Sequence, residues 1–239
     1  MAGRTSRPGS LSRIPGFDPR QVPIENVGEL GRALPADTLT IPALRDRFAA
    51  PPARWQPEFA GDPFRLGVDD PRAASVLIPI VGRAGGPTVL LTERTEHLSS
   101  HAGQVAFPGG RQDPEDGSPV ETALREAEEE IGLHRSFIDV VGDLPPYLTG
   151  TGYQVTPVVG LVRDGFELIL QQDEVAEAFE VPLRFLMDPR HHELRRVRWE
   201  AGDRVFYSMP WRPHALGREY FIWGATAAML RNLYRFLSA

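Results

Sequence analysis

Apolar and polar positions follow two different periods along this chain, and the changes of period mark its elements. From residue 1 to about 38 neither period is sustained. That stretch is rich in Pro, Gly, Arg and Ser, the composition of a flexible or surface-wrapping N-terminal extension, so a single folded domain is expected over 39–239. Ile41, Leu44 and Phe48 recur at helical spacing behind Pro42, predicting a short helix over Ile41–Ala49 that Pro51-Pro52 ends. Ala74–Val81 is a nearly continuous apolar run rich in β-formers and reads as a buried strand with an irregularity at Pro79. A turn over Gly82–Pro87 leads to a second strand at Val89–Thr92. Gln104–Phe107 forms a third, running into Pro108-Gly109-Gly110.

The strongest helical signal follows. Ser118 is an N-cap, Pro119 sits at the first helical position, Glu121 completes a capping box, and Gly132 is the stop. Strands are then expected at Ile138–Val141, Gln154–Val162 and Glu167–Leu170, and a helical turn at Pro182–Met187. A strand pair, Val197–Glu200 and Val205–Met209, flanks Gly202-Asp203. A strand at Glu219–Trp223 passes through Gly224 into a final helix, Ala225–Leu237. Helices and strands interleave without regular βαβ alternation, which points to an α+β domain with a mixed sheet covered by helices. His191-His192 lacks ligand spacing and is assigned to the surface.

The helix over Pro119–Ile131 carries the candidate chemistry. At about 100° per residue, with Glu126 at zero, Glu130 falls near 40° and Glu129 near −60°. Val120, Ala123, Leu124, Ala127 and Ile131 form the core stripe beside them. Three carboxylates so placed repel one another, and a divalent cation would remove that penalty. Oxygen ligands without Cys or suitably spaced His suit Mg²⁺ or Mn²⁺ better than Zn²⁺. Taken alone, Glu-x-x-Glu-Glu also describes a solvated face paired with arginines. Arg125 is placed to pair with Glu121 and Glu129. The Pro108-Gly109-Gly110 turn lets the backbone approach a ligand closely, although such a turn also occurs without one.

Composition narrows the options. The net charge of −6 argues against a general nucleic-acid or membrane-surface binder, leaving a small-molecule partner. The chain has no cysteine, and all 26 of its basic residues are Arg. Thiolate, P-loop-lysine and Schiff-base chemistry are therefore excluded, and a phosphate clamp falls to Arg, His, backbone N–H or metal. No apolar run reaches membrane-spanning length and the start lacks an apolar signal region, so the expected location is the cytoplasm.

Gly110 followed by Arg125-Glu126-Ala127-Glu128-Glu129-Glu130-Ile131-Gly132-Leu133 resembles the Nudix box, G-x5-E-x7-R-E-U-x-E-E-x-G-U with U aliphatic. The second half matches at every fixed position, Ala127 being a small U. In the first half, fourteen residues separate Gly110 from Arg125 where the box has thirteen. Gly117 therefore stands where the box has its first Glu, with Glu115 and Asp116 adjacent as substitutes. Upstream, Leu90-Leu91-Thr92-Glu93-Arg94 and Gly103-Gln104-Val105-Ala106-Phe107-Pro108-Gly109-Gly110 are similar to the signature of the coenzyme A pyrophosphatase branch of Nudix hydrolases. Thr95 replaces its Ser/Ala position, and Ser99 replaces its second Arg.

The resemblance implies a Nudix-type α/β/α sandwich and hydrolysis of coenzyme A to 3′,5′-ADP and 4′-phosphopantetheine. It implies Mg²⁺ or Mn²⁺ held by Glu126 and Glu130 with Glu129, and a general base among Glu126, Glu129 and Glu174. Arg125 would orient the carboxylates. Arg94, His101, Gly109 and Gly110 would meet substrate, and a homodimer would fit the likeness. Other readings stay open: a Nudix enzyme for ADP-ribose, NADH or another nucleoside diphosphate derivative, or a non-catalytic nucleotide-binding regulatory module.

Overall fold

The computed structural model describes residues 17–27, 31–62, 70–95, 103–198, 203–213 and 217–239. His101 and Ser99 lie outside them. The spine is a parallel pair, β2 (Arg72–Val81) against β8 (Tyr153–Val162), in register from Arg72↔Tyr153 to Val81↔Val162. Around it lie β3 (Thr88–Arg94), β4 (Val105–Ala106) and β6 (Ile138–Asp143), giving the order β4-β3-β2-β8-β6. Three strands pair off this path: β5 (Gly109–Arg111) on β2, β7 (Tyr147–Leu148) on β8 and β9 (Val175–Pro182) on β3. The sheet is mixed, as expected.

Both of its faces are buried, and the two-residue period of the strands sorts their side chains. Leu77, Val81, Leu90, Val158 and Val162 pack under Ala123, Ala127 and Ile131 of α2 (Pro119–Ile131). Ile78, Ile80, Val89, Leu91 and Val159 face a larger core on the other side. That core is closed by α1 (Ile41–Ala49), α3 (Leu183–Leu186) and α4 (Gly224–Ser238). A second sheet of β1 (Ile24–Val27), β10 (Glu193–Val197), β11 (Arg204–Trp211) and β12 (Tyr220–Trp223) completes it, in that order.

Over its described residues the N-terminal stretch lies on the domain: β1 is the edge strand beside β10, and Tyr234 donates to the Arg32 carbonyl at 2.9 Å. Several expectations change elsewhere. Glu167–Leu170 is not a strand. Its backbone and the next residues cap α2 instead, Ile169 N–H on the Ile131 carbonyl at 3.0 Å and Gln171 N–H on that of Glu130 at 2.9 Å. These are helix-end acceptors that the helix itself leaves unsatisfied. Strand β9 was not expected, and β10 begins four residues before the predicted Val197. The capping box is displaced by one residue. Ser118 Oγ accepts from Glu121 N–H at 3.2 Å, but the Glu121 carboxylate accepts from Gly117 N–H at 2.6 Å.

His192 is not on the surface. It is fully buried, its Nε2 against the Leu186 carbonyl at 2.8 Å and its Nδ1 facing Arg231 at 3.1 Å. Burial depresses its pKa to about 4, with the nearby Arg231 adding to the effect. His191 is half-buried and stacks on Phe185.

Candidate active site

Strand β5 brings the glycine turn onto the acidic helix. Gly109 has φ +154°, and a Cβ there would lie 2.4 Å from the Ser75 carbonyl and 2.5 Å from Val76 Cα. Only glycine allows the backbone to press this close to β2. In that position Gly109 N–H donates to Glu130 Oε2 at 3.0 Å. A Cβ on Gly110 would stand 2.5 Å from the Glu126 carboxylate. The Gly-Gly pair thus cradles both carboxylates from one side.

Helix α2 supplies the other side. Glu130 is 5% exposed. Burial raises its pKa to about 7; the Gly109 N–H and Arg94 pull the other way, and Glu126 and Glu174 push it further up. Glu126 is raised too, first by burial, against the pull of Arg125, with Glu129 and Glu174 adding. Arg94 Nη1 lies 3.6 Å from Glu130 and its Nη2 4.0 Å from Glu174. Two desolvated carboxylates with a third carboxylate nearby are therefore under-compensated by cations.

Glu129 does not join them. Its side chain is 60% exposed and is held by Arg125 Nη1 at 2.8 Å, the i,i+4 partner. Among the described residues no three His, Asp or Glu side chains stand close enough to hold an ion by themselves. The donor set still fits Mg²⁺ or Mn²⁺. Such ions take one or two carboxylates and complete their shell with water and substrate phosphate, and Glu126 and Glu130 are oxygen donors whose buried charge is relieved by a cation.

Arg125 organises the first half of the box. Its guanidinium meets Asp116 through Nε at 3.0 Å and Nη2 at 2.9 Å, the Arg111 carbonyl at 3.1 Å, and Glu126 at 3.0 Å. Asp116, nearly buried, is held far below the usual carboxylate range by that guanidinium. Of the two substitutes beside Gly117, it is Asp116 that meets Arg125. Thr95 stands at the Ser/Ala position of the branch signature. Its hydroxyl donates to the Asp173 carbonyl and its N–H to that of Glu174, both at 3.0 Å, which fixes where Glu174 stands.

Arg94 and Gly109 also line a cavity of about 310 Å³ on the larger-core side of the sheet. Its walls include Tyr147, Tyr153, Phe206 and Trp223, with Arg204 and Asp62 among the charged residues. The C-terminal contribution comes from residues 204–207 and 223–229, which are remote from the box in sequence.

This glycine-cradled carboxylate pair in the C-terminal half of α2 is joined by comparison with known proteins. Residues 71–215 match the family model described as the NUDIX domain. The chain belongs to the Nudix family. It is 44% identical over 198 residues to a protein of Yersinia enterocolitica described as an uncharacterized Nudix hydrolase, NudL, covering 80% of this chain and 97% of that one. A Yersinia pestis protein of the same description is 47% identical over 163 residues, covering 68% and 78%. Among solved structures, a MutT/nudix family protein from Enterococcus faecalis aligns with TM-score 0.44 at 15% identity, covering 83% of this chain and 75% of that one. RenU, a Nudix hydrolase from M. smegmatis, aligns with TM-score 0.41 at 23% identity, covering 55% and 81%.

The chain is thus a hydrolase of pyrophosphate bonds in nucleoside diphosphate derivatives, in a family that uses divalent metal ions. No helix among the described residues is long and apolar enough to cross a membrane.

Proposed function

We propose that this Nudix hydrolase cleaves the 5′-diphosphate of coenzyme A or acyl-coenzyme A. A water oxygen bonds to one phosphorus, the bridging P–O bond breaks, and the products are 3′,5′-ADP and 4′-phosphopantetheine. The observation that carries this reading is the junction of two sequence signatures. Arg94, closing the Leu-Leu-Thr-x-Arg run, and Gly109, within Phe-Pro-Gly-Gly, both meet Glu130 of the box. The branch signature and the hydrolytic box thereby form one surface.

Glu126 and Glu130 would hold Mg²⁺ or Mn²⁺, with Glu129 reaching it through water. The bound ion would supply charge neutralisation of the diphosphate and a lower pKa for the attacking water. Arg94 clamps a phosphate oxygen, and the Gly109–Gly110 backbone keeps side chains out of the substrate's path. Glu174 takes the water proton. It is half exposed and faces Glu126 and Glu130 electrostatically, whereas Glu129 is occupied by Arg125 and Glu126 by metal and Arg125. Arg125, anchored on Asp116, sets the orientation of Glu126.

Incubation with coenzyme A, NADH and ADP-ribose, each with Mg²⁺ and with Mn²⁺, followed by mass identification of products, tests the reading. The expected result is 3′,5′-ADP and 4′-phosphopantetheine from coenzyme A as the fastest reaction. Faster cleavage of NADH or ADP-ribose would replace the substrate, and no metal-dependent product from any of the three would count against catalysis itself.

A further inference from the structure

The cavity behind β4 and β5 holds features that diphosphate cleavage does not use. Tyr147 lines it and is 6% exposed, yet its hydroxyl has no hydrogen-bond partner among the described residues. Burial, with Asp62 nearby, keeps that phenol protonated, so it is a donor. Arg204, 4% exposed, also lines the cavity, its charge opposed by burial and supported by Asp62. Trp223, Gly224, Ala225 and Thr226, at the start of the 15-residue helix α4, also line it. No side chain caps that helix, so its first N–H groups and the positive end of its dipole stand at the wall.

Charge and size narrow the ligand. Asp62 is the only carboxylate among the described lining residues, against Arg94, Arg204 and the helix end. A space so equipped, in a chain of net charge −6, favours an anion over a cation. At about 310 Å³ it falls at the low end of ligand pockets and suits one half of a nucleotide conjugate rather than the whole. Because Arg94 lies both on this cavity and on Glu130, a diphosphate bound at the carboxylates would direct one of its two substituents inward.

We infer that the cavity binds a phosphomonoester on the nucleoside half of the substrate, read by the Tyr147 hydroxyl, the Arg204 guanidinium and the N-terminus of α4. The inference rests on the proposed function, and it adds that the enzyme selects nucleoside bisphosphates, such as the 3′-phosphorylated adenosine end of coenzyme A, over their monophosphate counterparts.

The test is calorimetric binding of 3′,5′-ADP and of 5′-AMP to the full-length protein, which needs no turnover. Wild type is expected to bind 3′,5′-ADP on the order of 10- to 100-fold more tightly, the range for one charge-assisted contact set. Arg204→Gln is expected to bring that ratio close to one. The isosteric Tyr147→Phe, which preserves the fold, is expected to narrow it several-fold. Equal affinities in wild type, or an unchanged ratio in both variants, would overturn the site. Hydrolysis of coenzyme A against dephospho-coenzyme A separates the two claims. Equal rates sink the phosphomonoester site and leave diphosphate cleavage standing. A bisphosphate preference in binding without cleavage of coenzyme A sinks the proposed reaction and leaves the site standing.

Discussion

Replacing Glu130 by Gln should stabilise the metal-free protein while disabling it. The Glu130 carboxyl has its pKa raised from 4.5 to about 7. A carboxyl raised on folding destabilises the native state only where it must ionise. The penalty is absent below about pH 4.5, grows from there to about pH 7, and is complete above it. A shift of that size corresponds to roughly 3 kcal/mol at pH 8. At 5% exposure, solvent screening removes little of it. Glutamine keeps an acceptor for the Gly109 N–H and carries no charge. For a chain of 239 residues the gain corresponds to roughly 6 to 12 °C in Tm. Thermal melts of both proteins in EDTA at pH 8 and at pH 5 measure it. Glu130→Gln should melt higher at pH 8, and the two curves should converge at pH 5. With Mg²⁺ its kcat should fall more than about 100-fold, since even outer-shell partners of metal ligands are worth 10- to 100-fold. A variant less stable than wild type by the same margin at both pH values would refute the reasoning, because Glu130 would then be a satisfied structural carboxylate.

Other expectations separate site from scaffold. Gly110→Ala places a methyl against the Glu126 carboxylate and should lower kcat with a small change in Tm. Gly109→Ala meets backbone at positive φ and should lower stability by about 2 kcal/mol or more, read by urea denaturation. Asp116→Asn removes the bidentate partner of Arg125; kcat should drop about 10- to 100-fold with a stability loss of about 2 kcal/mol, and Asp116→Glu should recover less than half of the activity. His192 is neutral when buried, with a pKa depressed from 6.5 to about 4, so stability should fall as pH drops from about 6.5 to 4. In His192→Gln that part of the acid dependence should disappear from denaturation curves taken across the interval.

The parts legible in the sequence are those fixed by local rules. Helix α2 obeyed its cap, its proline and its stop glycine, and its ends fall where those residues placed them. The buried strands β2 and β8 announced themselves by runs rich in apolar β-formers, nearly continuous in β2. Glu167–Leu170 has the composition of a strand, but helix-end carbonyls took its N–H groups. That competition depends on tertiary contact, which periodicity does not register. Strand β9 carries Glu177 and Glu180 among its apolar positions and so broke the pattern. At the site, the azimuths put Glu126, Glu129 and Glu130 on one arc. Angular position does not say which way a long side chain turns, and in the structure the Glu129 carboxylate pairs with Arg125. Asp116 was in view but unresolved, since a shorter side chain one residue early can reach the same guanidinium. His192 was misplaced because its partner, Arg231, is remote in sequence.

The β5 strand also divides the labour of the molecule. On one side of it lie the carboxylates of residues 126 and 130, carried by a helix whose start at Ser118 and stop at Gly132 are set locally. On the other lies a cavity whose far wall comes from residues 204–207 and 223–229. Substitutions in that wall can redraw the range of accepted substrates without passing through an inactive ancestor, because none of them touches the box. The same partition limits mimicry: an inhibitor built only for the carboxylates would strike many relatives at once, and one anchored in the wall would be private to chains that share it.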